Sequence, residues 1–397
     1  MLKKTSFPIE EVISRGVAEI LPNKETFLTK LKTNKIKLYL GIDPTGANLH
    51  LGHSVVLRKL QQFANLGHEV ILLIGNGTVK IGDPTGRDES RPILTDQQIE
   101  ENFATWKTQA SKILDFNLIK IQRNGDWLDK LTFPDMVKIM AKTTVQQLME
   151  RDMFQERLKN GLPIHGHEII YPLMQGYDSV AMNVDLEIGG TDQTFNMMMG
   201  RTLQRAYNNK EKWVLTTPII NGTDGRKMSK SFNNFVSLSE APNEMYGKLM
   251  SVADEMIVEY FTLLTDVHQQ EIEAIQQKIA NGDNPMQWKK QLAWEITASY
   301  HSIETANQAQ THFENTVQNK QVDSATVVSR VELANKTALE IMVTLTKESN
   351  SQSRRLIEQG ALTLLPSEEK ITEPNQIPDL TLVAGLKIGK KRFYKLV

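Results

Sequence analysis

The stretch Gly41–His53 reads Gly-Ile-Asp-Pro-Thr-Gly-Ala-Asn-Leu-His-Leu-Gly-His, and it decides the fold. It follows an apolar run, 36–40, that is typical of a buried strand in a parallel sheet. Beyond it, apolar residues recur at helical spacing over 55–63. The stretch is therefore predicted to be the turn between a strand and a helix. Because the start of a helix presents backbone N–H groups and the positive end of a dipole, we expect an anion to bind there.

The strand that follows this helix extends the prediction to the whole domain. A second apolar run, 70–75, comes one helix length after the first. Strand, helix and strand at this spacing predict a parallel pair joined by a right-handed crossover, and hence a doubly wound α/β sheet. Ligands of such sheets bind beyond the carboxyl ends of the strands, where Gly41–His53 is predicted to lie.

Two short polar segments carry the candidate chemistry. His50 and His53 flank Gly52, which allows close approach of a ligand at the predicted helix start. Far along the chain, Lys227-Met228-Ser229-Lys230-Ser231 follows a loop rich in Gly, Asn and Asp, and its two lysines can hold a polyphosphate as movable charges. Each segment alone has an ordinary alternative, a pair of helix-capping histidines or a solvated basic loop.

Together, in this order, the two segments resemble the His-Ile-Gly-His and Lys-Met-Ser-Lys-Ser signatures of class I aminoacyl-tRNA synthetases. The resemblance implies ATP, accompanied by Mg²⁺, as a substrate. It implies no metal bound by the protein itself. The family's catalytic positions match Thr45, His50, His53, Lys227 and Lys230.

Three further segments make the resemblance specific to tyrosyl-tRNA synthetases of the bacterial type. The loop 81–91 carries Asp83, which can pair with an ammonium, and two arginines, which can hold phosphate oxygens. If 171–178 is a helix, its polar residues Tyr171, Gln175 and Asp178 share one face. The Gly-Gly-Thr-Asp-Gln segment 189–193 matches the family's Gly-Gly-Ser-Asp-Gln, with Thr194 in place of the usual aromatic residue.

The resemblance assigns roles to these positions. Asp178 and Tyr39 are expected to read the hydroxyl of a bound tyrosine, although Tyr39 taken alone is an ordinary core residue. The amino end of the substrate is assigned to Asp83, Tyr171 and Gln175, and Gln193 is a further residue expected to bind tyrosine. ATP is assigned to Gly41, Asp43, Gly52, Arg87, Arg91, Gly190, Asp192, Met228 and Ser229.

Composition bounds the rest of the prediction. The chain has 397 residues, enough for two or three domains, a net charge of −1 and no cysteine. The absence of cysteine excludes disulfides and Cys-ligated zinc, and it fits a reducing cytoplasm, where we expect the protein. No secretory signal or membrane-spanning run is expected. Near-neutral charge means that an RNA partner must be found from local patches.

The order of segments predicts three domains. A catalytic domain, 1–232, is expected to begin with a largely helical arm over 8–32 and to contain a helical insertion over about 126–170. In relatives this insertion carries much of a homodimer interface, but from the sequence alone its Met-rich pattern fits ordinary core better. A helical domain, 233–330, matches the family's anticodon-recognition region. The last segment, 331–397, resembles an S4 RNA-binding domain.

The basic tail is the candidate RNA surface. From residue 351 onward there are eight basic and five acidic residues, and none is acidic after Gly385. The RNA-binding candidates are Arg354, Arg355, Lys390, Lys391 and Arg392. An edge strand guarded by lysine explains the pattern equally well.

The resemblance as a whole implies that the chain joins L-tyrosine to tRNA(Tyr) through a tyrosyl-adenylate. Two alternatives stay open from the sequence. A tryptophanyl-tRNA synthetase shares the fold, and a catalytically silent paralogue would keep only the RNA-binding role.

Overall fold

The computed structural model describes residues 7–85, 94–228, 234–318, 326–389 and 392–397. The chain divides into two compact units. The larger comprises Leu2–Glu240 and Ser251–Leu292, and the smaller comprises Ala241–Met250 and Ala293–Val397. The three-domain division at residues 232 and 330 stays a prediction. Among the residues described, no helix combines the length and apolarity needed to cross a membrane.

The larger unit is built on a sheet of six strands in the described part of the chain. These are β1 (Glu19–Leu21), β2 (Lys37–Ile42), β3 (Glu69–Ile74), β4 (Ile119–Arg123), β5 (Leu186–Gly190) and β6 (Trp213–Thr217). Their order is β1-β6-β5-β2-β3-β4, and all neighbours are parallel except β1 and β6. The chain runs outward from β2 to β4 and then returns to the other side of β2 with β5. The order therefore reverses between β2 and β5, which is where doubly wound sheets bind ligands.

Both units contain α-helices. In the described residues the α-helices are α1 (Ile9–Val12), α2 (Lys24–Thr33), α3 (Leu51–Asn65), α4 (Thr78–Ile81), α5 (Asp96–Ala110), α6 (Gly125–Leu128), α7 (Phe133–Met140), α8 (Val145–Met149), α9 (Asp152–Lys159), α10 (Gly166–Met182), α11 (Thr194–Asn208), α12 (Pro242–Leu249), α13 (Ile257–Leu264), α14 (Gln269–Ala280), α15 (Pro285–Tyr300), α16 (Ile303–Phe313), α17 (Arg330–Leu333), α18 (Ala338–Thr346) and α19 (Asn350–Glu358). The predicted strand–helix–strand unit is confirmed by β2, α3 and β3, and the segment 126–170 is mainly helical in the described structure. Its status as the family's insertion stays a prediction.

The prediction of a largely helical arm over 8–32 is wrong in its middle. Glu19–Leu21 form the edge strand β1, which pairs with β6 in antiparallel register. Ile20 is buried while Glu19 is exposed, as on a strand with one covered face. Because the pairing partner lies far away in sequence, the local spacing of apolar residues did not reveal it.

The smaller unit carries its own sheet, described without residues 390–391. Its strands are β7 (Thr326–Val328), β8 (Leu362–Leu365), β9 (Glu369–Ile371), β10 (Gly385–Ile388) and β11 (Arg392–Leu396). They lie in the order β7-β11-β10-β8-β9, antiparallel except for β7 and β11. Their apolar face packs with α18 and α19 in one buried core. Gly360, two residues after the last residue of α19, has a φ of +71° and ends that helix.

Candidate active site

A cavity of about 520 Å³ opens where the carboxyl ends of β2, β3 and β5 meet. It lies at the reversal of strand order, as expected for a doubly wound sheet. Most of the predicted substrate-binding residues line it. They are Gly41, Asp43, Thr45, His50, His53, Asp83, Tyr171, Gln175, Asp178, Gly190, Asp192, Gln193 and Met228.

The two histidines cap the helix that they begin. The backbone N–H of Gly52 donates to His50 Nδ1 at 3.1 Å, and the backbone N–H of His50 donates to His53 Nδ1 at 3.2 Å. Because each Nδ1 accepts a hydrogen bond, the neutral ring carries its proton on Nε2, where it is a donor. The capping alternative and the functional prediction are therefore compatible, since capping fixes the tautomer of two rings at the cavity wall.

The base of the lysine loop lies against this turn. The Sδ of Met228 accepts from the backbone N–H of Gly52 at 3.3 Å. A Cβ at Gly52 would lie 2.9 Å from the His50 ring, so only glycine fits there without displacing the ring. Lys227 Nζ is 3.8 Å from the Asp192 carboxylate across the cavity mouth. The described residues of the lysine segment, Lys227 and Met228, thus lie beside the histidine turn, although they are far from it in sequence.

Asp178 is one of four acidic residues that line the cavity, with Asp43, Asp83 and Glu187, and we call this part of the cavity the acidic end. Asp178 is 2% exposed, and its carboxyl group accepts from Trp127 Nε1 at 2.8 Å and from Asn124 Nδ2 at 3.1 Å. Burial raises the pKa of Asp178 well above its usual range, and the two donors oppose that shift. A carboxyl group has about four acceptor positions, so these two donors leave capacity for a phenol.

The carboxylate of Asp43 accepts hydrogen bonds from two side chains of the protein. Tyr171 Oη donates to one carboxylate oxygen at 2.9 Å, and Thr78 Oγ donates to the other at 2.7 Å. Burial raises the pKa of the Tyr171 phenol, which keeps it a donor. A Cβ at Gly75 would lie 1.9 Å from an Asp43 oxygen, so the strand end must be glycine. Asp43 was predicted for ATP, and it also positions a residue predicted for tyrosine.

Asp83 is the third carboxylate of this end. It accepts from Gln193 Nε2 at 2.9 Å and from Thr85 Oγ at 2.6 Å. The guanidinium of Arg151 lies 3.8 Å away. The sequence placed Asp83 and Gln193 in the same role, and the structure joins them directly.

Gln175 faces a buried ion pair. Its Nε2 donates to Glu187 Oε1 at 3.0 Å, and the other oxygen of Glu187 pairs with Lys212 Nζ. Glu187 is 1% exposed and Lys212 is fully buried. Burial lowers the pKa of Lys212, and Glu187 opposes that change. Glu187 lines the cavity beside Gln175.

Tyr39 does not line the cavity. Its ring is fully buried, and its hydroxyl is 3.0 Å from Ser179 Oγ behind the cavity wall. Burial, with Glu187 and Asp178 nearby, raises the pKa of this phenol. These contacts match the core alternative for Tyr39, and its reading of a substrate hydroxyl stays a prediction.

Several predicted residues fall outside the described part of the chain. These are Arg87, Arg91, Ser229, Lys230, Lys390 and Lys391. Of the other RNA candidates, Arg354 and Arg355 are exposed on α19. Arg392 is only half-exposed, and it pairs with Glu348 at 2.9 Å.

Sequence reasoning missed the residues that hold the acidic end in place. They are Thr78, Asn124, Trp127, Arg151, Glu187 and Lys212. Only Glu187 carried a usable signal, because a charged residue between apolar neighbours in a predicted buried strand needs a partner. The partner, Lys212, lies just before the next strand, β6, and cannot be read from spacing.

The fold and this cavity together define a nucleotide-binding enzyme of the class I synthetase type. The chain belongs to that family, since the model described as "tRNA synthetases class I (W and Y)" matches residues 31–318. It is 41% identical to the tyrosine–tRNA ligase of Thermotoga maritima over 389 residues, covering 97% of this chain and 96% of that one. It is 43% identical to the tyrosine–tRNA ligase of Carboxydothermus hydrogenoformans over 401 residues, covering 98% and 97%.

A solved structure bears out the predicted fold. The tyrosyl-tRNA synthetase of Archaeoglobus fulgidus, complexed with L-tyrosine, superposes with a TM-score of 0.61 at 21% identity. The match covers 76% of this chain and 98% of that one. At this identity the likeness establishes the architecture, and the site must be argued from its own contacts.

Proposed function

We propose that the chain is a tyrosine–tRNA ligase that forms tyrosyl-adenylate from L-tyrosine and ATP and then charges tRNA(Tyr). One observation carries the proposal. The cavity has histidines and the base of a lysine loop at its mouth and a buried carboxyl, Asp178, at its closed end. That arrangement suits a triphosphate at one end and a phenol at the other.

The first step needs no nucleophile from the protein, because the carboxylate of tyrosine is already ionised and attacks the α-phosphate directly. The phosphoanhydride bond breaks and pyrophosphate leaves. Catalysis then consists of positioning and of stabilising charge on the phosphates. His50, His53 and Thr45 line the cavity, and the Lys227 side chain reaches the Asp192 carboxylate that also lines it. Lys230 lies outside the described residues, and its role in stabilising the phosphates is proposed from the resemblance alone. Mg²⁺ enters with ATP as part of the substrate.

The nucleoside and the amino acid have separate acceptors. Asp192, after β5, is placed to accept from ribose hydroxyls, and Gly190 lets the nucleotide approach the backbone. The substrate's ammonium has Asp83, Tyr171 and Gln175 around it. Asp178 selects tyrosine over phenylalanine, because phenylalanine brings no hydroxyl to a buried group that can accept one.

The remaining partners are proposed from local surfaces. In the insertion, the large apolar side chains Phe133, Val137, Val145 and Leu158 are 81%, 50%, 66% and 55% exposed. Exposed apolar side chains of this size, all within one segment, support a homodimer through this region. Arg354 and Arg355 support tRNA binding by the S4-like segment 331–397, with anticodon recognition by 233–330. We place the protein in the cytoplasm, where charged tRNA is used.

An amino-acid-dependent ATP–pyrophosphate exchange panel tests the proposal. Tyrosine alone should support exchange, and purified tRNA(Tyr) should then be charged. Exchange with tryptophan would instead identify a tryptophanyl-tRNA synthetase. RNA binding without exchange by any amino acid would identify a silent paralogue.

A further inference from the structure

The Gln175 side chain separates a buried ion pair from the cavity, and its orientation has a functional consequence that rests on the proposed function. An amide has one donor end and one acceptor end. A substrate ammonium needs acceptors, so the amide helps only when its carbonyl oxygen faces the cavity. An amide turned the other way would present N–H groups to a cation and oppose binding.

The ion pair removes this ambiguity. Glu187 Oε1 accepts from Gln175 Nε2 at 3.0 Å, and an ionised carboxylate can only accept. The Nε2 end is therefore turned toward Glu187, which leaves Oε1 as the group that Gln175 offers to the cavity it lines.

Lys212 holds the Glu187 carboxylate in the position that this requires. It pairs with the second oxygen of Glu187 and also donates to the backbone oxygen of Met197 at 3.0 Å. The packing is built around the lysine head, because a Cβ at Gly200 would lie 2.4 Å from Nζ. Burying this pair costs desolvation free energy, because Glu187 is 1% exposed and Lys212 is fully buried. Each partner makes a further hydrogen bond, Glu187 with Gln175 and Lys212 with the backbone oxygen of Met197.

We infer that Glu187 and Lys212 are positioning residues for tyrosine recognition, which hold the Gln175 carbonyl toward the substrate's ammonium. They touch no reacting atom. Their effect is on the binding of the amino end, and it leaves the triphosphate end of the cavity unchanged.

The test replaces the pair with apolar residues of similar volume, Glu187→Met with Lys212→Met. Such replacements of buried ion pairs are often neutral or stabilising, so the variant is expected to fold. Losing a hydrogen bond to a charged group should raise the KM for tyrosine by about 10-fold or more in pyrophosphate exchange. The KM for ATP and the kcat should stay within about 3-fold, since the proposal assigns the pair no contact with ATP.

Two partial analogues of tyrosine distinguish a loss of Gln175 orientation from general damage to the binding site. Tyramine keeps the ammonium and lacks the carboxylate, whereas 3-(4-hydroxyphenyl)propionate keeps the carboxylate and lacks the ammonium. Calorimetry should show weaker tyramine binding in the double variant, with little change for the propionate. Equal weakening of both ligands would overturn the inference.

A matched control and a rescue complete the design. Arg157→Met with Glu168→Met removes a second buried ion pair, 2.8 Å between partners, whose carboxylate lies on the same helix α10. It should leave the ratio of the two ligand affinities unchanged. Adding Gln175→Glu to the first double variant should restore tyramine binding, because a carboxylate accepts at both oxygens and needs no orienting partner.

These outcomes are distinguishable from failure of the proposed function. If the wild-type chain shows no tyrosine-dependent exchange, the proposed function fails before any variant is made. If the wild type is active and the double variant binds tyramine normally, only the positioning role is wrong.

Discussion

The two ends of the cavity are built differently. At the acidic end, four carboxylates face inward, and each accepts from at least two donors within the protein. Asp43 is held by Thr78 and Tyr171, Asp83 by Thr85 and Gln193, Asp178 by Asn124 and Trp127, and Glu187 by Gln175 and Lys212. At the cationic end, the described groups are capping histidines and Lys227, whose side chain is 59% exposed.

This difference separates recognition from charge stabilisation. The acidic end is fixed by strands and α10 before any ligand arrives, which suits the selection of one amino acid among similar ones. The cationic end rests on a helix start and a loop, where a long lysine can follow the phosphates as charge moves toward the leaving group. Changes at the acidic end should alter binding and selectivity, and changes at the cationic end should alter the rate.

Replacement of Lys230 gives the largest expected effect. Lys230→Ala removes a movable positive charge from the leaving phosphates, so adenylate formation should slow by roughly 10²- to 10³-fold, the range found when one charge-stabilising donor is lost. The Kd for tyrosine should not change, because the acidic end is intact. Single-turnover adenylate formation and calorimetry measure the two quantities.

The exposed Lys24 on α2 provides the control for this experiment. Lys24→Ala should leave both quantities as in the wild type. An undiminished rate in Lys230→Ala would remove the loop from the mechanism and with it the contrast between the two ends.

Asp178→Asn should weaken the selection of tyrosine, whereas Lys230→Ala should slow the reaction. The new amide meets two donors, Asn124 Nδ2 and Trp127 Nε1, and can accept from only one end. Leaving a buried polar group poorly satisfied costs about 1–3 kcal/mol, so preference for tyrosine over phenylalanine should fall roughly 10- to 100-fold. Exchange kinetics with each amino acid give the ratio. Asp185→Asn, a buried aspartate outside the cavity, should keep the preference.

A change in the smaller unit should affect neither end of the cavity. Arg354→Glu with Arg355→Glu reverses two exposed charges on α19. The KM for tRNA should rise about 10-fold and its salt dependence should weaken by roughly two phosphate contacts, while pyrophosphate exchange stays unchanged. Lys24→Glu with Lys35→Glu makes an equal charge change on the larger unit, and equal loss of charging there would show a general charge effect.

The sequence predicted the two ends unequally. The doubly wound sheet followed from apolar runs around Gly41–His53, because strand and helix periods are local properties. The convergence of Met228 on Gly52 was foreseen through the resemblance, since spacing alone cannot place residues that are far apart. The face shared by Tyr171, Gln175 and Asp178 was also local, and α10 confirms it.

What the sequence did not show was pairing between elements. Trp127 and Asn124 belong to an insertion helix and its approach, and nothing in their neighbours predicts a contact with Asp178. Lys212 reads as a surface residue in the polar segment before β6, although it is fully buried against Glu187. Tyr39 was assigned to the substrate through the resemblance, and that role stays a prediction. The contact of its hydroxyl with Ser179, 3.0 Å away, could not be read from the sequence, because Ser179 lies on α10.

Met228→Leu should have the smallest effect and tests how the two ends are joined. The substitution keeps volume and apolar character, so it should cost little stability. It removes the sulfur that accepts from the Gly52 N–H at 3.3 Å, a weak contact that positions the loop base beside the histidine turn. We expect kcat for exchange to fall about 2- to 3-fold with the KM for tyrosine unchanged, in line with a contact of this strength.

Met286→Leu, at an exposed methionine of α15, is the matched control. If Met228→Leu raised the KM for tyrosine instead, the cationic end would be coupled to amino acid recognition, and the division of labour between the two ends would be wrong.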